Sequence, residues 1–145
     1  MFADFLKRLT APDPEPLPDA DARLALTALL VRVARADGHY DAGERATIHA
    51  IARDRYGLSA PDADKLRAEA ETLEAEAPDT VRFTRAIKDA VAYDDRVGVL
   101  EALWRVALSD GDRSAEENAL MRLTANLLGI SDMDSHQARQ RAASG

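Results

Sequence analysis

Apolar residues recur along most of the chain at intervals of three and four, the spacing that places them on one face of an α-helix. Leu26, Leu29, Leu30 and Val33 form such a stripe, on a helix that Asp19 or Asp21 can cap and that runs to about Arg35. Ile48 and Ile51 mark a second helix over about 42–55, which Gly57 stops. Ser59, with Pro61 and Asp62, opens a third, rich in Ala and Glu, that ends near Ala77-Pro78. Asp79 caps a fourth through Val81, Phe83, Ile87 and Val91. Asp94 or Asp95 begins a fifth, with Val97, Leu100, Leu103, Trp104 and Ala107 directed inward. A sixth carries Leu120, Met121, Leu123 and Leu127 up to Gly129, and Ser131-Asp132 opens a short last helix with His136 and Arg139. Alternation of period two is absent and strong helix formers dominate, so the fold class is all-α.

The first residues carry a different pattern. Phe2, Phe5, Leu6 and Leu9 fall on one side of a short helix, with Lys7 and Arg8 off that stripe. So short a helix does not hold in water alone. The stripe must dock, and its own domain is favoured over a membrane or a partner. Pro12, Pro14, Pro16 and Pro18 then make a stiff, extended spacer. The expected division is an amphipathic arm and Pro-rich spacer over 1–18 and a helical domain over 19–145.

One stretch is written twice. Ala36-Asp37-Gly38-His39-Tyr40-Asp41-Ala42-Gly43-Glu44 recurs as Ser109-Asp110-Gly111-Asp112-Arg113-Ser114-Ala115-Glu116-Glu117. The flanks repeat too: Leu30, Arg32, Val33 and Ala34 correspond to Leu103, Arg105, Val106 and Ala107. Two copies are too few for a solenoid and indicate a duplicated helical hairpin inside one domain. Helix-end chemistry accounts for much of the motif. Gly38 and Gly111 suit the left-handed turn past a helix end, and Asp41-x-x-Glu44 and Ser114-x-x-Glu117 are capping boxes. Asp37 and Asp110 are left over, because a carboxylate beside a helix C-terminus meets the negative end of the dipole. A bound cation compensates that placement. The candidate ligands are Asp37, Asp41, Glu44, Asp110, Asp112 and Glu117, brought together if the hairpins pack as a pseudo-symmetric pair. Oxygen donors suit Ca²⁺, Mg²⁺ or Mn²⁺, and His39 would shift the preference toward Zn²⁺ or Mn²⁺. The turns are not EF-hand loops: the opening ligand positions fall on Val33 and Arg35, and on Val106 and Leu108.

The 145 residues carry a formal charge of −7 and no cysteine. The acidic balance disfavours nucleic acid and anionic membranes and favours cations and basic partners. The missing cysteines remove disulfides, thiolate metal sites and cysteine nucleophiles and fit a reducing compartment. With no apolar run long enough to span a bilayer and no secretory leader, the cytoplasm is the expected location.

The Ala36-Asp37-Gly38 turn with Asp41 and Glu44, and its second copy at Ser109-Asp110-Gly111 with Ser114, Glu116 and Glu117, follow Leu/Val/Ala-rich helices. In this the chain resembles the tellurite-resistance TerB family over roughly residues 20–130. It is similar also to the N-terminal cytoplasmic domain of a membrane-anchored DnaJ-type co-chaperone. The resemblance implies a seven-helix bundle around two central antiparallel helices and acidic surface residues that bind metal. It further implies a non-enzymatic role in stress and metal-resistance complexes near the inner membrane, hence protein partners there. No J-domain follows, so co-chaperone activity is not expected.

Catalytic motifs are otherwise missing: there is no P-loop, no dinucleotide fingerprint and no His-Glu-x-x-His helix. His49 fits a helix surface or boundary and Trp104 a packing anchor. Glu69, Glu71, Glu74 and Glu76, mixed with Lys65 and Arg67, fit a solvated helix face. The leading expectation is a TerB-like module that binds a divalent cation or a protein partner through its repeated turns. The alternative is a purely structural adaptor tethered by its N-terminal arm. A hydrolase with a site assembled by proximity ranks last.

Overall fold

Helix ends fall largely where the local chemistry puts them. A computed structural model describes residues 2–12, 16–36, 40, 42–109 and 115–144, the side chains at 36, 106–109 and 115–120 excepted. The described residues form eight helices and no strand: α1 (Ala3–Leu9), α2 (Asp19–Ala36), α3 (Ala42–Tyr56), α4 (Ala60–Glu76), α5 (Thr80–Ala90), α6 (Tyr93–Ser109), α7 (Ala115–Leu127) and α8 (Asp132–Ser144). The Ser59 hydroxyl oxygen accepts from the Asp62 amide at 3.3 Å to open α4. Asp79 does the same for the Arg82 amide at 3.2 Å in α5, and Ser131 for the Asp134 amide at 3.2 Å in α8. Each satisfies an amide that a helix start leaves without a partner. Past α3 and α7, Gly57 and Gly129 adopt φ of 63° and 69°, where any Cβ would be strained. Asp19, Asp21, Asp94 and Asp95 lie inside the first turns of α2 and α6. They favour those helix starts through the dipole.

The core is built around α2, in which every residue from Leu24 to Val31 is buried. A helix enclosed on all sides needs neighbours on all sides, and α3, α4, α5 and α7 supply them. The two hairpins, α2–α3 and α6–α7, join crosswise: α2 packs on α7 and α6 on α3. Where α6 meets α3, the Arg55 guanidinium lies over Gly98 and would have to shift for a Cβ there. Ala138 and Ala142 of α8 are buried, and α8 packs along α6. The arm lies on the body. Phe5 and Leu9 are buried, α1 packs on α5, and the Leu17 amide donates to the Ala90 carbonyl at 2.9 Å.

Two residues expected to face inward do not. Val81 is 64% exposed and Leu123 43%. Val81 precedes the fully buried Phe83 by two positions and Leu123 follows the buried Met121 by two, a rotation of roughly 200° about the helix axis. Val97 and Leu103 are half-buried, and the side chains of Ala107 and Leu120 lie outside the described residues.

Two arginines collect the carbonyls that helix ends leave over. Arg32, on α2, donates from Nη1 to the Pro78 carbonyl at 2.8 Å and from Nη2 to the Glu74 carbonyl at 3.2 Å, closing the end of α4. Its Nε meets Glu74 Oε1 at 3.0 Å, with the two side chains only 16% and 7% exposed, and Arg35 reaches the other carboxylate oxygen at 3.4 Å. Arg96 donates to the Val91 and Leu128 carbonyls, joining the ends of α5 and α7. Glu74 therefore corrects the expectation of a solvated glutamate face. It lies four residues beyond the buried Ala70 and shares the inward stripe of α4.

Tyr56 presents an opposite case. Arg23 and Arg55 lie 4.8 and 5.7 Å from its ring centre, yet its hydroxyl oxygen is buried with no hydrogen-bond partner. Burial pushes its pKa up to about 12. Because the folded state binds that proton more tightly, its contribution is complete below pH ~10 and is lost as pH rises through the folded value. Tyr56→Phe should keep neutral-pH stability or raise it by about 1 kcal/mol. It should also remove this part of the alkaline loss. Urea melts at neutral and alkaline pH would read both effects, and a clear loss at neutral pH would show that the hydroxyl has a partner after all.

Candidate functional site

The two repeated turns occupy matching places. α2 ends at Ala36 and α3 begins at Ala42; α6 ends at Ser109 and α7 begins at Ala115. Both connectors therefore have the same length, with Asp37 and Asp110 first past a helix C-terminus and Asp41 and Ser114 last before a helix start. Asp37, Gly38, His39, Asp41, Asp110, Gly111, Asp112 and Ser114 lie outside the described residues, as do the side chains of Glu116 and Glu117. Glu44 is described: it is half-buried in the first turn of α3, at the third helical position, as a capping-box glutamate should be.

The described surroundings of the first turn are cationic as well as acidic. The Tyr40 ring has the Arg35 guanidinium 5.0 Å and the Arg45 guanidinium 6.0 Å from its centre. Its hydroxyl donates to Glu71 Oε2, and Glu71 in turn accepts from Arg67 at 3.0 Å. Burial, then the hydrogen bond to Glu71, pushes the Tyr40 pKa up, so the phenol stays protonated and remains a donor. Tyr40 thus fastens the end of the first connector to α4. No sequence expectation covered this contact, since its partners lie 31 residues apart.

The second hairpin meets α3 elsewhere. Arg105, one turn before the end of α6, reaches Asp54 at 2.8 Å, and Arg55 reaches Asp95 at 3.6 Å. Glu44 and Asp54 are separated by about 15 Å along the α3 axis. Among the described residues, no group of three or more His, Asp or Glu side chains is arranged to hold a metal ion.

A hydrolytic site needs an activated nucleophile. An open depression of about 300 Å³ gathers Asp132, Ser135 and His136 beside Trp104. No side-chain hydrogen bond links the three, and Arg139 stacks 5.2 Å from the Trp104 ring centre. His49 Nε2 lies 3.1 Å from the Ala60 carbonyl and 3.5 Å from Asp64, a helix-to-helix contact. Asp79, whose hydrogen bonds from Arg82 hold its pKa low, is an exposed helix cap.

The fold and its paired connectors agree with comparison to known families. Residues 23–140 match the family described as tellurite resistance protein TerB, a span that contains both turns. The chain belongs to the TerB family. Comparisons with curated proteins and with solved structures return no match. The TerB match covers α3 to α7 whole and most of α2 and α8, and leaves α1 and the spacer outside it. No helix among the described residues is long and apolar enough to cross a membrane.

Proposed function

We propose that this TerB protein is a non-enzymatic binding module of stress and metal-resistance complexes, and that its repeated turns take a divalent cation. The observation that carries the reading is the matched placement of Asp37 and Asp110, each first past the end of a hairpin's leading helix. A carboxylate there opposes the helix dipole, and doing so twice calls for a positive counterpart. Asp37, Asp41 and Glu44 are the ligands of the first turn; Asp110, Asp112 and Glu117 are those of the second. Such donor sets are all oxygen and fit Ca²⁺, Mg²⁺ or Mn²⁺, with His39 favouring Mn²⁺ or Zn²⁺. Arg35 and Arg45 bring positive charge to the Tyr40 ring beside the first turn. Loading the turns would rigidify the corner and present a protein partner with a charge-neutralised face, at or near the inner membrane.

Calorimetric titration tests this. Mn²⁺ or Ca²⁺ at about 100 times its Kd stabilises a fold by about 2.7 kcal/mol, a rise in Tm of several degrees for a chain of this size. Asp37→Asn with Asp110→Asn should abolish it. One ion per chain would mean a shared site, and two would mean separate ones. Absence of heat and of thermal shift with all four ions would end the cation reading and leave the adaptor.

A further inference from the structure

The arm is held to the body mainly by two side chains. Phe5 and Leu9 are buried, and the Phe2 amide donates to Glu76 Oε1 at 3.4 Å. Beside them a groove of about 640 Å³ stays open between α1 and α5, with Leu6 and Pro78 half-buried along it. With seven residues, α1 does not stay helical off the body. Its apolar stripe therefore needs a seat, and every copy of the chain carries one on α5.

Which copy's seat the arm takes depends on the spacer, and both ends of the spacer rest on α5. At one end α1 packs against that helix; at the other the Leu17 amide donates to the Ala90 carbonyl, where α5 stops. The helix is only about 16 Å long. The extended conformation that Pro12, Pro14 and Pro16 favour covers roughly 25 Å from Leu9 to Leu17. A flexible run of the same length would span roughly 16 Å on average. A stiff tether longer than the span it serves lowers the effective concentration of the arm at its own seat. The seat of a second copy lies within its natural reach.

We propose that α1 is an exchangeable arm, which in a pair of chains seats on the α5 of the other copy. Every contact between arm and seat is kept, because both are the same in the two copies. Two arms given and two received close the pair about a two-fold axis and leave no seat empty. Only α1 has to leave the body, a local opening and not an unfolding of the domain. Two chains of net charge −7 repel each other, so pairing strengthens as salt screens them.

Sedimentation equilibrium of the full chain over a concentration series tests this, with a monomer–dimer equilibrium expected. The chain has no cysteine, so Lys7→Cys carrying a donor dye and Arg85→Cys carrying an acceptor are labelled singly, both on the groove. Mixing the two should produce energy transfer as the arm of one copy takes the seat of another. Leu9→Asp should abolish both dimer and transfer, with circular dichroism checking that the body stays folded. Pro14→Gly with Pro16→Gly changes the tether, leaves α1 and α5 as they are, and should cut dimer affinity at least about fivefold. This second variant carries the test if Leu9→Asp unfolds. The proposal is overturned if the chain is monomeric at every soluble concentration, if the dimer survives Leu9→Asp, or if the glycine tether pairs as well as the proline one. Flotation of the monomer with phosphatidylglycerol vesicles, lost in Leu9→Asp, would overturn it too and assign the arm to the membrane.

Discussion

Arg32→Ala will lower the stability of the fold by about 3–5 kcal/mol, because it breaks a buried ion pair by removing one partner. Glu74, at 7% side-chain exposure, would keep only the longer contact to Arg35. The Pro78 carbonyl would lose its donor just past α4, while the Glu74 carbonyl would keep the Ala77 amide at 3.1 Å. Arg32→Lys should rescue little: an ammonium lacks the planar fork that reaches carboxylate and carbonyls at once. Arg32→Met combined with Glu74→Leu should recover part of the loss, since the stranded charge goes with its partner, while the Pro78 carbonyl still lacks its donor. Urea unfolding of the three variants measures this. A cost below about 1 kcal/mol for Arg32→Ala would mean that the pair is solvated and that α4 ends without its help.

Phe83→Ala is expected to cost a similar 3–5 kcal/mol through loss of buried area and the cavity left behind. Phe83 is fully buried on α5, the helix that bridges α2 and the arm. The two substitutions will not add. The Arg32 guanidinium lies 5.6 Å from the Phe83 ring centre, so each changes the setting of the other. A double-mutant cycle read by denaturant melts should give a coupling of at least about 0.5 kcal/mol, and strict additivity would show that the ring and the guanidinium act independently.

Much of the fold was legible because its information is local. Ser59, Asp79 and Ser131 cap the helices they were expected to open, and Gly57 and Gly129 take the left-handed conformation expected beyond a helix end. The all-α class follows from periodicity; the resemblance to the TerB family rested on a turn written twice, and the family match spans both copies. What stayed hidden depends on contacts between distant parts of the chain. Glu74 looked like one more glutamate of a wet helix face, although its spacing from Ala63 and Ala70 put it among inward positions. An inward acid implies a cation on a neighbouring helix, and only packing names Arg32. Of the six carboxylates expected to hold a cation, Glu44 sits where a capping box puts it, a place that serves the helix with or without a ligand.

Arg32 and Arg105 hold corresponding positions of the repeated stretch, yet their surroundings differ. The first is sunk among carbonyls at a helix end; the second makes half-exposed pairs with Asp54 and Glu101 of a kind worth no more than about 1 kcal/mol. The same residue type at matching positions is therefore indispensable in one half and replaceable in the other. Change at this position of the second hairpin thus leaves the core intact, while the same change in the first opens the end of α4.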